Sequence, residues 1–128
     1  MYRYIKSFLT FIGFKLINEI NTEDFYKTIS HSEKLVIVEL FTENSTGSYL
    51  VELSLNDILD KNIIMVEAYK INIDKHPEIT QSFQLFTFPT ILFYKNNELL
   101  DVITGPTPKN IIVNKINRLL NQKEYITF

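Results

Sequence analysis

Two serines stand close together in the stretch LFTENSTGSYL, which covers residues 40 to 50. Ser45 and Ser48 are hydroxyl groups in a polar turn between two apolar segments, so nucleophilic catalysis is the first chemistry to consider. A serine nucleophile needs a base within hydrogen-bond reach. The only histidines, His31 and His76, lie far from this turn in sequence. We therefore expect no catalytic residue here.

Thiol and metal chemistry find no support in the residue types either. The chain has no cysteine, which excludes disulfides, thiolate catalysis, iron–sulfur clusters and cysteine-bound zinc. His31 and His76 lie in segments with no other obvious ligand, so we predict no metal site. The only glycines are Gly13, Gly47 and Gly105, too few for a glycine-rich phosphate loop. We expect no cofactor.

The composition is that of one globular domain. The chain has 128 residues, of which 45% are hydrophobic and 22% charged, enough for a single core. There are 13 basic and 15 acidic residues, so no positive excess attracts nucleic acid or an anionic bilayer. We predict that nucleic acid is not a partner. The domain is expected over residues 14–121, between an apolar extension at 1–13 and a tail at 122–128.

The extension begins with MYRYIKSFLTFIGFKL, in which Arg3 and Lys6 precede an apolar run as they do in signal peptides. Lys15 ends this run after eight residues, and no small-residue cleavage site follows. We therefore expect a cytoplasmic protein, with export or membrane association as alternatives. A short amphipathic helix is the other interpretation, and it would dock on the domain, a partner or a membrane. Its apolar face would hold Ile5, Phe8, Leu9 and Ile12.

The remaining segments alternate between strand and helix patterns. Asn21, followed by Asp24, predicts a capped helix start, and Asn96 with Asn97 predicts a tight hairpin. Thr107 is expected to cap the last helix, which would begin at Pro108. The predicted strands cover 14–20, 35–41, 63–73, 89–95 and 98–104. The first predicted helix follows Asn21, the second covers about 48–59, and the last two open with Pro77 and Pro108. The order βαβαβαββα predicts an α/β fold with parallel crossovers first and an antiparallel hairpin last.

Several spaced motifs in this order resemble the thioredoxin family. They are VELFTENSTGS, AYKINID, FPTILFYKNNE and the TG before the last helix. The resemblance implies a thioredoxin-like fold, with a central mixed β-sheet flanked by helices. It places Ser45 and Ser48 on the two cysteines of that family, Pro89 on its cis-proline and Gly105 on the glycine that faces the active site.

The turn Ser45, Thr46, Gly47 and Ser48 would then be a degenerate redox motif. A hydroxyl cannot cycle through a disulfide, so dithiol exchange is excluded. We predict a redox-inactive protein that is not an enzyme. Leu53 replaces the family's helix-bending proline, which predicts a straight second helix.

What remains without sulfur is binding. In the thioredoxin family the segment before the cis-proline pairs with extended peptides, which implies a peptide groove here. We expect a protein-binding adaptor, chaperone or assembly subunit. The alternative is a glutathione-binding or glutathione-transferase-like protein that uses the Ser45 hydroxyl at the helix start. The candidate peptide-binding residues are Asn44, Ser45, Thr87, Phe88, Pro89 and Gly105.

The resemblance also places a charged pair beneath the turn. Glu39 falls on the family's buried aspartate and Lys70 on its lysine neighbour. We expect the two side chains to form a buried ion pair across neighbouring strands.

Overall fold

The computed structural model describes residues 16–85 and 87–120. Over these residues the strands are β1 (Asn18–Glu19), β2 (Leu35–Phe41), β3 (Val66–Asn72), β4 (Thr90–Lys95) and β5 (Glu98–Thr104). The helices are α1 (Thr22–His31), α2 (Thr46–Lys61), α3 (Glu78–Phe83) and α4 (Lys109–Leu119). Within the same ranges, no helix is long and apolar enough to cross a membrane.

All these strands belong to one mixed sheet, in the order β1-β3-β2-β4-β5. β1 and β2 both run parallel to β3, while β4 is antiparallel to both β2 and β5. β2 lies at the centre because its sequence LVIVELF supplies apolar side chains to both faces, and six of its seven residues are buried. The predicted α/β fold, with a mixed sheet flanked by helices, is confirmed.

The core is divided between the two faces of the sheet. On one face α2 and α4 pack against the sheet through Val51, Leu55, Ile112 and Ile116, among other buried residues. On the other face α1 and α3 pack against it, and Phe25 of α1 is fully buried there. This division follows from the alternation of side chains along each strand, since neighbouring residues point to opposite faces.

Local sequence signals fix several boundaries. The Asn21 side chain accepts a hydrogen bond from the Asp24 N–H at 2.8 Å and caps α1 as predicted. Asn96 and Asn97 join β4 to β5 with φ angles of 52° and 63°, which is the left-handed conformation that a two-residue hairpin requires. α2 is continuous from Thr46 to Lys61, in agreement with the absence of a proline at Leu53.

Several predicted boundaries differ in the structure, and three differences matter most here. β1 is described only at Asn18–Glu19, and β3 begins at Val66, since the preceding residues form a turn. α4 begins at Lys109, after Pro108. Thr107 does not cap it, because its hydroxyl donates to the Gly105 carbonyl at 2.9 Å. The predicted extension at 1–13 and tail at 122–128 lie outside the described residues.

Candidate functional site

Both serine hydroxyls in the turn between β2 and α2 accept hydrogen bonds from backbone N–H groups. Ser45 is the N-cap, and its Oγ accepts a hydrogen bond from the Ser48 N–H at 3.1 Å. Ser48 is only 4% exposed, and its Oγ accepts from the Thr42 N–H at 3.4 Å. Serine is a preferred N-cap because its oxygen satisfies an otherwise unpaired backbone donor. Each hydroxyl oxygen is therefore engaged as an acceptor within the turn.

The residues around this turn present a polar surface at a helix start. Asn44 is exposed and has a φ of 59°, a conformation that asparagine tolerates better than most residues. Thr46 is exposed at the first position of α2. The unpaired N–H groups and the helix dipole make this end of α2 electropositive.

A second loop completes the candidate site. The Phe88–Pro89 peptide bond is cis, and Pro89 is buried, Phe88 half-buried and Thr87 exposed. The Thr87 carbonyl accepts from the Thr90 hydroxyl at 2.6 Å. The Pro89 carbonyl accepts from the Gly105 N–H at 2.7 Å. The loop before β4 is therefore tied to the end of β5.

Gly47 is the point where the serine turn meets this second loop. A Cβ built on Gly47 would lie 2.9 Å from Pro106 Cγ and 3.5 Å from Pro89 Cδ, so a larger residue would push the loops apart. Gly105 has a φ of +84°, which disfavours any residue with a side chain. The structure thus brings the serine turn, Pro89 and Gly105 together.

The main chain of Phe88 lies next to this junction, since Phe88 directly precedes Pro89. Among residues 16–85 and 87–120, no group forms a hydrogen bond with the Phe88 N–H or C=O. The Phe88 side chain packs on the edge of the core face that contains Phe25. Phe88 therefore offers one main-chain donor and one acceptor beside an anchored ring, which is the arrangement that an added strand can use.

The prediction that Lys70 forms an ion pair with Glu39 is wrong, because Lys70 pairs with Glu52 instead. Glu39 and Lys70 are both buried and lie directly opposite each other on β2 and β3. Lys70 Nζ, however, contacts Glu52 Oε1 at 2.7 Å, while neither Glu39 oxygen has a hydrogen-bond partner among the described residues. Glu52 reaches Lys70 because α2 crosses above β3. Glu52 lies one turn after Ser48 on the buried side of α2. This spacing is the sequence signal that could have identified Glu52 as the partner of Lys70.

The environment of Glu39 favours its neutral form. Burial raises the pKa of Glu39 to about 8, and the nearby Glu52 carboxylate raises it further, whereas Lys70 opposes the shift. An uncharged carboxyl is the expected response of an acid that is removed from water without a direct partner. At neutral pH, the buried group beneath the turn is therefore an ion pair beside a protonated acid.

A cleft of about 700 Å³ opens beside the start of α2. Its floor contains Lys70, whose Nζ lies 5.3 Å from the centre of the Phe41 ring, within the range of a cation–π contact. Sequence reasoning missed this cleft because it forms between the ends of separate strands. In the described part of the chain, no group of His, Cys, Asp and Glu side chains could hold a metal ion. The acidic residues that line the cleft are Glu19, Glu43 and Glu52.

This arrangement of a mixed sheet, a helix-starting turn and a cis-proline loop defines a thioredoxin-type fold. A sequence model of the family described as Thioredoxin matches residues 16–118. The chain therefore belongs to the thioredoxin family. It has no cysteine, so its own side chains cannot carry dithiol exchange.

Individual relatives agree with this assignment. An M-type chloroplast thioredoxin of Spinacia oleracea is 24% identical over 107 residues, which are 84% of this chain and 59% of that protein. A thioredoxin of Rickettsia felis is 26% identical over 103 residues, which are 80% of this chain and 98% of that protein. The chain thus spans well under two thirds of the spinach relative but nearly all of the bacterial one.

Solved structures support the fold. Thioredoxin from Malassezia sympodialis superposes with a TM-score of 0.69 at 21% identity, covering 80% of this chain and 89% of that one. Oxidised mitochondrial thioredoxin 3 from Saccharomyces cerevisiae gives a TM-score of 0.70 at 16% identity, covering 80% and 94%.

Proposed function

We propose that this chain is a non-catalytic thioredoxin-family protein that binds an extended peptide segment, as an adaptor, chaperone or assembly subunit. The observation that carries the proposal is the main chain of Phe88, whose N–H and C=O have no partner among the described residues. Extended peptides bind such groups by adding a strand. The site keeps this backbone feature although it has no sulfur.

The surroundings of Phe88 define which peptide fits. The half-buried Phe88 ring and the exposed Thr87 belong to the loop before β4, and Asn44 and Ser45 belong to the serine turn, which meets that loop where Gly47 approaches Pro89. The nearby cleft is lined by three glutamates and one lysine. An uncharged or basic extended segment is therefore favoured over an acidic one.

A peptide array tests the proposal. Binding should be strongest for extended peptides, and it should be lost when alternate backbone nitrogens of the same peptide are methylated, because methylation removes main-chain donors. Phe88→Asp should weaken binding. Ile111→Asp, at a position on α4 that is 44% exposed, is the matched control and should bind as the unmodified protein does.

Phe88 also contacts the core, so the folding of each variant is checked by urea denaturation. Equal binding of methylated and unmethylated peptides by the folded protein would contradict main-chain pairing. The glutathione alternative depends on the Ser45 hydroxyl, whose oxygen caps α2 and whose proton can still be donated. Saturable heat in a calorimetric titration with glutathione, lost in Ser45→Ala, would favour that alternative.

A further inference from the structure

The turn between α2 and β3 displays two isoleucines to solvent. Ile63 is 45% exposed and Ile64 is 83% exposed, the largest value among the exposed large apolar residues of the described chain. Leu59 and Met65, on either side of them, are half-buried against the core. The turn therefore extends the apolar core into a projecting apolar surface, which we call the isoleucine turn (residues 62–65).

This display is held in place by hydrogen bonds. The Asn62 carbonyl accepts from the N–H groups of Met65 and Val66 at 3.0 and 3.1 Å. The Asn62 side chain donates to the Ile58 carbonyl at 2.8 Å, and Lys34 Nζ donates to the Ile63 carbonyl at 2.8 Å. These bonds stabilise a backbone conformation in which both isoleucines are exposed to solvent.

The chain enters the fold from the same end. β1 is parallel to β3, with Asn18 opposite Tyr69, so the residues before β1 approach from the end of the sheet where β3 begins. The isoleucine turn immediately precedes β3 at that end. The Ile17 N–H donates to Asn56 Oδ1 at 2.9 Å, which holds the entering chain against α2. The start of β3 is three residues before Tyr69, which is about 10 Å along a strand.

Fifteen residues precede Leu16 in the sequence, and they supply the matching chemistry. Gly13 is the only glycine of this stretch, and glycine has access to more backbone conformations than other residues. The residues before it are rich in large apolar side chains, namely Tyr2, Ile5, Phe8, Leu9, Phe11 and Ile12. A short tether to Leu16 gives such a segment a high effective concentration at the isoleucine turn.

We propose that residues 1–12 dock within the same chain on the isoleucine turn and cover Ile63 and Ile64. The rival apolar surface is Leu50 and Leu53 on α2, which are 55% and 41% exposed. This surface is less favourable as a docking site. The chain enters β1 from the side of Asn56 that lies toward the end of α2, whereas Leu53 lies on the other side of Asn56, toward the start of α2. The proposal is independent of the peptide groove, which is at the other end of the sheet.

The chain contains no tryptophan, so a single introduced tryptophan reports on one position. In the full-length chain, Ile64→Trp should give blue-shifted emission and weak quenching by acrylamide. Adding Phe8→Asp and Leu9→Asp should shift this emission to the red and increase the quenching. Leu53→Trp is the matched control, and its emission should be the same with and without the aspartates.

A cross-link gives a second readout. The chain has no cysteine, so Leu9→Cys and Ile64→Cys can be introduced as the only thiols. A short bifunctional maleimide should link them within one chain, and intact-mass measurement should show a cross-linked monomer. Leu9→Cys with Ile111→Cys should give little of it. A response at Leu53→Trp alone, or no response at either tryptophan, would overturn the proposal. Emission that shifts on dilution, or cross-linked dimers, would assign the surface to a second copy and overturn it too.

Discussion

The two faces of the sheet bury different kinds of side chain. The face covered by α1 and α3 is apolar and aromatic, with Phe25 in edge contact with the rings of Phe83 and Tyr94 at 6.5 and 5.6 Å. The face covered by α2 and α4 buries three ionisable groups beneath the serine turn, which are Glu39, Glu52 and Lys70. Polar burial is thus concentrated on the face that carries the candidate site.

This difference separates two contributions to the free energy of unfolding. Apolar contacts on the aromatic face act at any pH, because their energy comes from surface removed from water. On the other face, the contribution of the buried charged groups to the free energy of unfolding depends on their protonation and on the distance and orientation of their partners.

The largest expected effect is on the aromatic face. Phe25→Ala should lower the free energy of unfolding by about 3–5 kcal/mol, because it leaves a cavity at a fully buried position. The loss should be the same at pH 5 and pH 8 in urea denaturation. Tyr26→Ala, at a neighbouring residue that is 47% exposed, serves as control and should cost much less. A pH-dependent loss at Phe25 would remove the contrast between the faces.

On the charged face, Lys70→Met should lower the free energy of unfolding by about 3 kcal/mol at pH 7, because Glu52 loses its buried cationic partner. The double variant with Glu52→Gln should recover more than half of this loss. Thermodynamic cycles from chemical denaturation measure the coupling. If Glu39→Gln rescues Lys70→Met better than Glu52→Gln does, the pairing seen in the structure is not the one that stabilises the protein.

Substitution of Glu39 should change the free energy of unfolding in the opposite direction to Lys70→Met. Its pKa is raised in the folded state from 4.5 to about 8, so the folded state binds this proton more tightly than the unfolded state. The favourable contribution is complete below pH 4.5 and is lost as the pH rises to 8. Glu39→Gln, which mimics the protonated acid, should therefore stabilise the protein by about 1–3 kcal/mol at pH 8.

At pH 4.5 the same substitution should have little effect, since both chains then carry an uncharged group. Urea denaturation at several pH values provides the test. A constant difference between the variant and the unmodified protein across this range would show that Glu39 keeps its charge in the folded state.

The smallest effect is expected at the turn itself. Ser45→Ala should cost about 1 kcal/mol through loss of the N-cap, and Ser45→Gly only a few tenths. Urea denaturation of the two variants separates capping from any other role of the hydroxyl. Equal losses in both variants would show that the bond to the Ser48 N–H contributes little.

The parts of the fold that were predicted correctly depend on local patterns. The cap at Asn21, the turn at Asn96 and Asn97 and the buried run of β2 each follow from a few adjacent residues. The start of β3 was placed too early because Ile63 and Ile64 continue the apolar pattern of that strand. Hydrogen bonds to Asn62 close a turn there instead, and the apolar pattern does not report them.

The sequence predicted which residues form the candidate site, but it did not predict which buried side chains contact each other beneath it. The motifs located the serine turn, Pro89 and Gly105, because their order and spacing resemble one family. The partner of Lys70 depends on how closely α2 approaches β3, which is a tertiary distance that no local pattern encodes. The cleft likewise forms only when separate loops meet, and no local pattern reports that the Phe88 main chain lacks a partner among residues 16–85 and 87–120.

The mixed sheet has a consequence for the order in which its strands assemble. The hairpin of β4 and β5 closes a loop of two residues, whereas pairing β2 with β3 closes the loop from 42 to 65 that contains α2. The longer closure costs about 2 kcal/mol more in chain entropy. We expect the amides of Ile91 and Ile103, which lie opposite each other on β4 and β5, to be protected before those of Ile37 and Tyr69, which bond between β2 and β3, in pulsed hydrogen exchange during refolding. Simultaneous protection would show that the strands assemble in one cooperative step.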